Sequence, residues 1–212
     1  MRVFLWLAIF SGYCLSNCFD FSKSIRTPLS DLPLAAGKKE EIKWGAHPSG
    51  GVFGEIRTVV ERAFDEVKKE FDDPMFTRNR DNTKVEIENI KSDVHNLLQV
   101  VHVTVTVFAF VTVSWDEKWA VDILEGGAKS PKVILYSYEK VAGTSHLTKK
   151  CGSIRLRKLS PKQTDVYWYE AVVSDRWDEQ SAREHMVNTI QLFTSQKEAD
   201  KAPEPASVPT RP

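Results

Sequence analysis

The sequence predicts an α+β domain: about seven antiparallel strands in a strongly curved sheet, a short helix after the first strand, and a long amphipathic helix at the C-terminal end. Three observations predict it. From Asn82 onward the apolar residues recur with a period of two, and short turn-forming segments separate the runs, as in an antiparallel meander. Within that region "VHVTVTVFAFVTVSW" (Val101–Trp115) has no charged residue, glycine or proline. As one strand it would extend about 50 Å at ~3.3 Å per residue. A domain of about 155 residues is only about 38 Å across, so such a strand must bend. Third, "DRWDEQSAREHMVNTIQLF" places Ala182, Met186, Ile190 and Phe193 on one helical face, with Asp175 and Asp178 near its start.

Residues 1–18 read as an export signal. Met1-Arg2 supplies the positive start, "VFLWLAIFSGYCL" the apolar centre, and "SN" the small and polar residues after it. That centre is shorter than the roughly 20 residues a membrane-spanning helix requires. Two processing routes fit. Cleavage after Ser16 would leave Cys18 and Cys151 in an oxidising compartment, able to pair if the fold brings them together. Alternatively "LSNC" (Leu15–Cys18) resembles a bacterial lipobox, with Asn17 departing from the usual small residue; Cys18 would then carry a lipid anchor and Cys151 would be a buried thiol. Residues 19–50 hold Pro28, Pro33, Gly37 and Pro48 and are expected to form an arm lying on the domain. Residues 196–212 are rich in Pro, Ala and charge and are expected to be a disordered tail. The folded unit is expected to run from about Lys39 to Ser195, with the domain proper assigned to residues 51–195.

"GEIRTVVERAFDEVKKEFDDPM" admits two readings. Val52, Ile56, Val59, Ala63, Val67 and Phe71 fall at helical spacing, with Ser49 as a cap. The other reading is a strand at Gly54–Glu61 and a helix at Ala63–Phe71 with Phe64, Val67 and Phe71 buried; β-branched Thr58, Val59 and Val60 favour it. Asp72-Asp73-Pro74 stops either version. The strands that follow are "TKVEIENI", the long run from Val101, "WAVDIL", "KVILYSYEK", "SHLTKKCGSIRLRKL" and "TDVYWYEAVVS". Gly152 is expected to mark a bulge. Trp115 and Trp119 are expected to pair across a turn at "DEK". The odd positions from Val101 to Val113 form an aliphatic face suited to a dry core. The even positions, His102 to Ser114, mix Thr, Phe and His and suit either a cavity lining or a face covered by the arm.

Composition sets limits on function. Lys+Arg and Asp+Glu balance at 29 each, which lacks the basic excess of a nucleic-acid binder, and no basic run marks an anionic membrane surface. No "HExxH", "CxxC", "GxSxG" or phosphate-cradling glycine loop occurs, so no metal, cofactor or nucleophile is indicated. His146 and His185 can both reach a cavity, His185 reading as solvated or half-buried. Glu170 reads as a surface residue that would be a general base if buried.

The order strand, short helix, antiparallel strands and closing helix resembles the START-like helix-grip (SRPBCC) superfamily of lipid-transfer domains, polyketide cyclases and pollen-allergen-type carriers. "GEIRTVVERAFDEVKKEFDDP", "SYEKVAGTSHLTKKCGSIRLRKLSPKQTDVYWYEAVV" and "DRWDEQSAREHMVNTIQLF" carry the likeness, over roughly Gly51 to Phe193. It favours strand-then-helix at Gly54–Phe71. It implies a cavity between sheet and closing helix, lined by Trp119, Tyr136, Tyr138, Tyr167, Tyr169, Met186 and Ile190. The expected function is an exported, periplasmic or secreted carrier whose partner is a lipid or other hydrophobic small molecule. The alternatives are a cyclase, dehydratase or hydrolase using the same cavity, or a structural envelope protein with a filled core.

Overall fold

The computed structural model describes residues 40–47, 50–72, 82–108, 111–175, 178–185 and 187–188. In chain order these form β1 (Glu40–Ala46), β2 (Val52–Val60), α1 (Phe64–Asp72), β3 (Thr83–Ile90), β4 (Leu97–Phe108), β5 (Val111–Gly127), β6 (Ser130–Gly143), β7 (Leu147–Ser160) and β8 (Gln163–Ser174). The strands make one curved antiparallel sheet in the order β1-β2-β8-β7-β6-β5-β4-β3. The chain thus starts at one edge, crosses to the other, and returns by hairpins until β8 closes against β2.

The ambiguous early segment resolves as strand then helix. Thr58, Val59 and Val60 alternate across β2 rather than stacking along a helix. In α1, Phe64, Val67 and Phe71 are buried one above the next against β7 and β8, each contributing about 1.5–3 kcal/mol by leaving water. The Thr164 hydroxyl donates to the Arg62 carbonyl at 3.0 Å, and Arg62 pairs with Glu70 at 2.6 Å, fixing where the helix leaves the sheet.

Four expectations need correction. Residues 40–46, assigned to the arm, are an edge strand paired with β2 from Glu40↔Thr58 to Ala46↔Val52, so the sheet has eight strands among the described residues. The run from Val101 is two strands: β4 and β5 pair down to Phe108↔Val111, so the excess length is taken up by reversal. Its aliphatic face, with Val101 and Val103, is the one packed with the core, while the mixed face holds outward pairs such as His102–Asp116 and Thr104–Ser114. "DEK" is no turn; it lies inside β5, where Asp116 and Lys118 face outward and Glu117 inward.

Gly152 is not a bulge either. Pairing runs unbroken through Cys151↔Ala171, Gly152↔Glu170 and Ser153↔Tyr169. A glycine is required because the Tyr138 side chain passes over it: a Cβ there would meet the Tyr138 hydroxyl and the Tyr169 carbonyl oxygen.

Residues 179–185 and 187–188 are helical. Asp178 caps them, accepting from the Ser181 amide at 2.8 Å. Ala182 is buried with Val52 and Val172 on the face that carries α1, so this helix starts on the inner side of the sheet. Gly152→Ala is expected to destabilise the protein by about 3 kcal/mol through overpacking, whereas Gly127→Ala, with open space around it, should stay within about 0.5 kcal/mol; urea denaturation of both variants checks the contrast.

Candidate functional site

Alternate residues of four neighbouring strands bring an ionic cluster onto the inner face. Glu117 comes from β5, Tyr138 from β6, Lys150 from β7 and Glu170 from β8. Tyr138, Gly152 and Glu170 lie in one cross-strand row. Because Gly152 has no side chain, the Tyr138 hydroxyl reaches past β7 and donates to Glu170 Oε2 at 2.6 Å. Lys150, two residues before Gly152 on the same face, places Nζ 3.0 Å from Glu117 Oε1 and 3.6 Å from Glu170 Oε2. Trp115 and Trp119 donate to the two Glu117 oxygens at 2.7 and 3.0 Å. Trp168 donates to the Tyr138 hydroxyl at 2.9 Å. His185, on the C-terminal helix, sets Nε2 3.3 Å from Glu170 Oε1, and its ring meets Trp168 edge-on at 6.2 Å.

These contacts fix the charge states. Burial alone would raise the Glu170 pKa, but the adjacent Lys150 ammonium, His185 and the Tyr138 hydroxyl outweigh it and hold the group at about 2. Burial would lower the Lys150 pKa; Glu117 and Glu170 reverse the effect and keep it above its ordinary value. Burial, then the Glu170 charge, pushes the Tyr138 phenol well upward, so it stays a donor. At neutral pH Glu170 is therefore anionic, Lys150 cationic and Tyr138 protonated. Burying such charges is costly unless every one is paired and hydrogen-bonded. Here most lone pairs are used; Glu170 Oε1, buried, accepts no aligned hydrogen bond.

Beside the cluster lies a cavity of about 360 Å³ between α1 and the inner face of β4, β5 and β6. Phe71, Leu97, Trp119, Val121, Ile123 and Ile134 supply its apolar walls, and Lys68, Asp72, Asn96 and Gln99 its polar groups. The Tyr136 hydroxyl donates to Asp72 Oδ1 at 2.8 Å. Trp119 belongs to both regions: it lines the cavity, and its indole stacks on the Tyr138 ring at 4.5 Å with a 17° tilt.

Of the residues proposed from sequence, Trp119 and Tyr136 line this cavity and Tyr138 adjoins it. Tyr167 and Tyr169 face the other side of the sheet, where Tyr167 lies under Arg155 and Tyr169 stacks on Phe53. Strict alternation along β8 dictates this, since Trp168 and Glu170 take the inner positions. Met186 and Ile190 lie outside the described residues. His146 is exposed and paired with Asp175 at 2.7 Å, away from the cluster. Glu170, read as a surface residue, is buried. Glu117 and Lys150 were missed, although each is a lone charge at an apolar position of a period-two pattern: Glu117 with Trp119 and Val121, Lys150 with Ile154 and Leu156. Among the described residues no group of three or more His, Cys, Asp or Glu is placed to hold a metal.

No protein-family model matches this chain, and no curated protein matches it in sequence. Solved structures do match in fold. A STAR-related lipid transfer protein from Xanthomonas axonopodis aligns with a TM-score of 0.54 at 12% identity, over 77% of this chain and 96% of that one. The human StarD13 (DLC2) lipid transfer and protein localization domain aligns with a TM-score of 0.53 at 4% identity, over 80% of this chain and 88% of that one. The Zhui aromatase/cyclase from Streptomyces sp. R1128 aligns more loosely, with a TM-score of 0.41 and 14% identity over 76% and 90% of the two chains. The chain has a START-like fold.

Removing Lys150 leaves two carboxylates facing each other in a buried site. Lys150→Met is expected to cost about 3–5 kcal/mol at pH 7, and the deficit should shrink at pH 5 as a carboxylate takes up a proton. In the unaltered protein the Glu170 pKa lies below its unfolded value of 4.5, so its stabilisation is complete above that pH and is lost as pH falls towards about 2. Urea titrations of both proteins between pH 7 and pH 3 check both statements.

Proposed function

We propose that the protein is an exported carrier that binds a lipid or other hydrophobic small molecule between the inner face of the sheet and a long C-terminal helix. The observation that carries this reading is the shared wall at Trp119, with a largely apolar cavity on one side and a buried polar cluster on the other. An amphiphile fits that arrangement, its apolar body against Phe71, Val121, Ile123 and Ile134 and its polar end among Lys68, Asp72, Asn96 and Gln99, with the cluster behind Trp119. The helix that starts at Glu179 continues, in this reading, through Met186, Ile190 and Phe193 and closes the space. Export rests on residues 1–18 and agrees with Cys151 being disulfide-bonded, as expected in an oxidising compartment.

The cluster also narrows the ligand. Glu117 and Glu170 against Lys150 leave an excess of negative charge, which disfavours phosphate or carboxylate head groups. A hydroxyl or amine carries no negative charge for the cluster to repel. Proton transfer by the cluster is disfavoured at neutral pH, since Glu170, held at about 2, is a weak base and Lys150 and Tyr138 hold their protons. A filled structural core is disfavoured by the cavity of about 360 Å³, which lies within the ligand-pocket range of roughly 300–1,000 Å³.

Native mass spectrometry of purified protein, followed by titration with a long-chain alcohol and with a fatty acid of equal length, tests the reading. A neutral amphiphile bound one to one, with the alcohol at least about tenfold tighter than the acid and Val121→Phe weakening both, is the expected result. No saturable binding of either probe sinks the carrier assignment.

A further inference from the structure

The dimensions of the cavity limit what can occupy it. Its floor is three strands wide, from β4 to β6, which puts the outer two backbones roughly 10 Å apart. Walls stand on those outer strands. Leu97 and Gln99 rise from β4, Ile134 and Tyr136 from β6, and Val121 of β5 lies in register between Leu97 and Tyr136. Phe71 of α1 forms the roof. Two alkyl chains side by side would need three carbon–carbon contacts of about 4 Å across that floor, roughly 12 Å. One chain needs two such contacts and fits. Lengthwise, the floor runs along β5 from Trp119 to Ile123, about 13 Å, and the space ends at Ala128 and Pro131 of the β5–β6 turn.

We propose, resting on the carrier reading, that the cavity takes one unbranched alkyl chain of about twelve carbons under a small uncharged head group and does not enclose two-chain lipids. The volume sets the length. A space of about 360 Å³ holds about twelve groups of roughly 30 Å³, the share of one water molecule, which a methylene approximates. Trp119 makes the limit firm. Its indole stacks on the Tyr138 ring at 4.5 Å and donates to Glu117 Oε2 at 3.0 Å. Pushing it aside would take a donor from a carboxylate that is 3% exposed, which costs more than burying another methylene gains. Leu97 is 38% exposed, and Asp72 and Asn96 are exposed too, so the opening lies there. Methylenes in excess of the limit stay in water at that opening and add nothing to affinity.

Titration of the unaltered protein with 1-alkanols from hexanol to hexadecanol, read by native mass spectrometry, tests the limit. Affinity should rise about fourfold per methylene up to about twelve carbons and then stay level within about twofold. A rise that continues unbroken to hexadecanol overturns the proposal. Val121→Phe puts about four more heavy atoms into the floor and should move the break to about eight carbons; a break that does not move overturns it. Monododecanoylglycerol and didodecanoylglycerol form the third arm. The two-chain lipid should bind no more tightly than the one-chain lipid, and a preference for it of about tenfold or more overturns the proposal. If no alkanol binds, the carrier reading fails as well, whereas saturable binding without a break removes the length limit alone.

Discussion

Lys150 bridges two buried carboxylates, and that pairing constrains most of the structure around it. A buried charge without a partner costs several kcal/mol, so Glu117, Lys150 and Glu170 must arrive together. They come from three different strands, so β5, β6, β7 and β8 must each hold one register. A slip of one residue would turn Glu117, Lys150 or Glu170, or on β6 Tyr138, to the outer face. The same requirement explains Gly152, whose missing side chain lets Tyr138 cross β7 to Glu170, and explains Trp115, Trp119 and Trp168, whose indole N–H groups donate to the oxygens of Glu117 and Tyr138.

The cluster divides the inner face into two chemical zones. Towards α1 the face is apolar and encloses the cavity. Towards the C-terminal helix it is ionic and locked in one protonation pattern. Trp119 is the shared wall, with the cavity on one side and the Tyr138 ring stacked against it. His185 extends the ionic zone onto the helix, tying the helix to the sheet through Glu170.

Local patterning revealed much of this architecture, and long-range constraint decided the rest. Period-two runs and short turns exposed the meander, and the spacing of Phe64, Val67 and Phe71 exposed α1. The run from Val101 misled because an uninterrupted β-branched sequence carries no mark of where it reverses. "DEK" misled because three adjacent charges look like a turn, although they alternate between the two faces of a strand. Glu117, Lys150 and Glu170 were visible as single charges on apolar faces, but their meaning lay in their partners on other strands, which no local window contains. Tyr167 and Tyr169 show the converse: their type suited a pocket, while alternation beside Trp168 and Glu170 turned them away from it.

Site-specific titration of the Glu170 carboxyl by carbon-13 NMR, assigned with Glu170→Gln, addresses the ionic cluster most directly. The account predicts a carboxylate that remains ionised throughout the range in which the protein is folded, with a midpoint at about 2. A midpoint above about 5 would mean that Lys150 is not its partner and that burial dominates. The register argument and the ligand preference drawn from this cluster would then both fail.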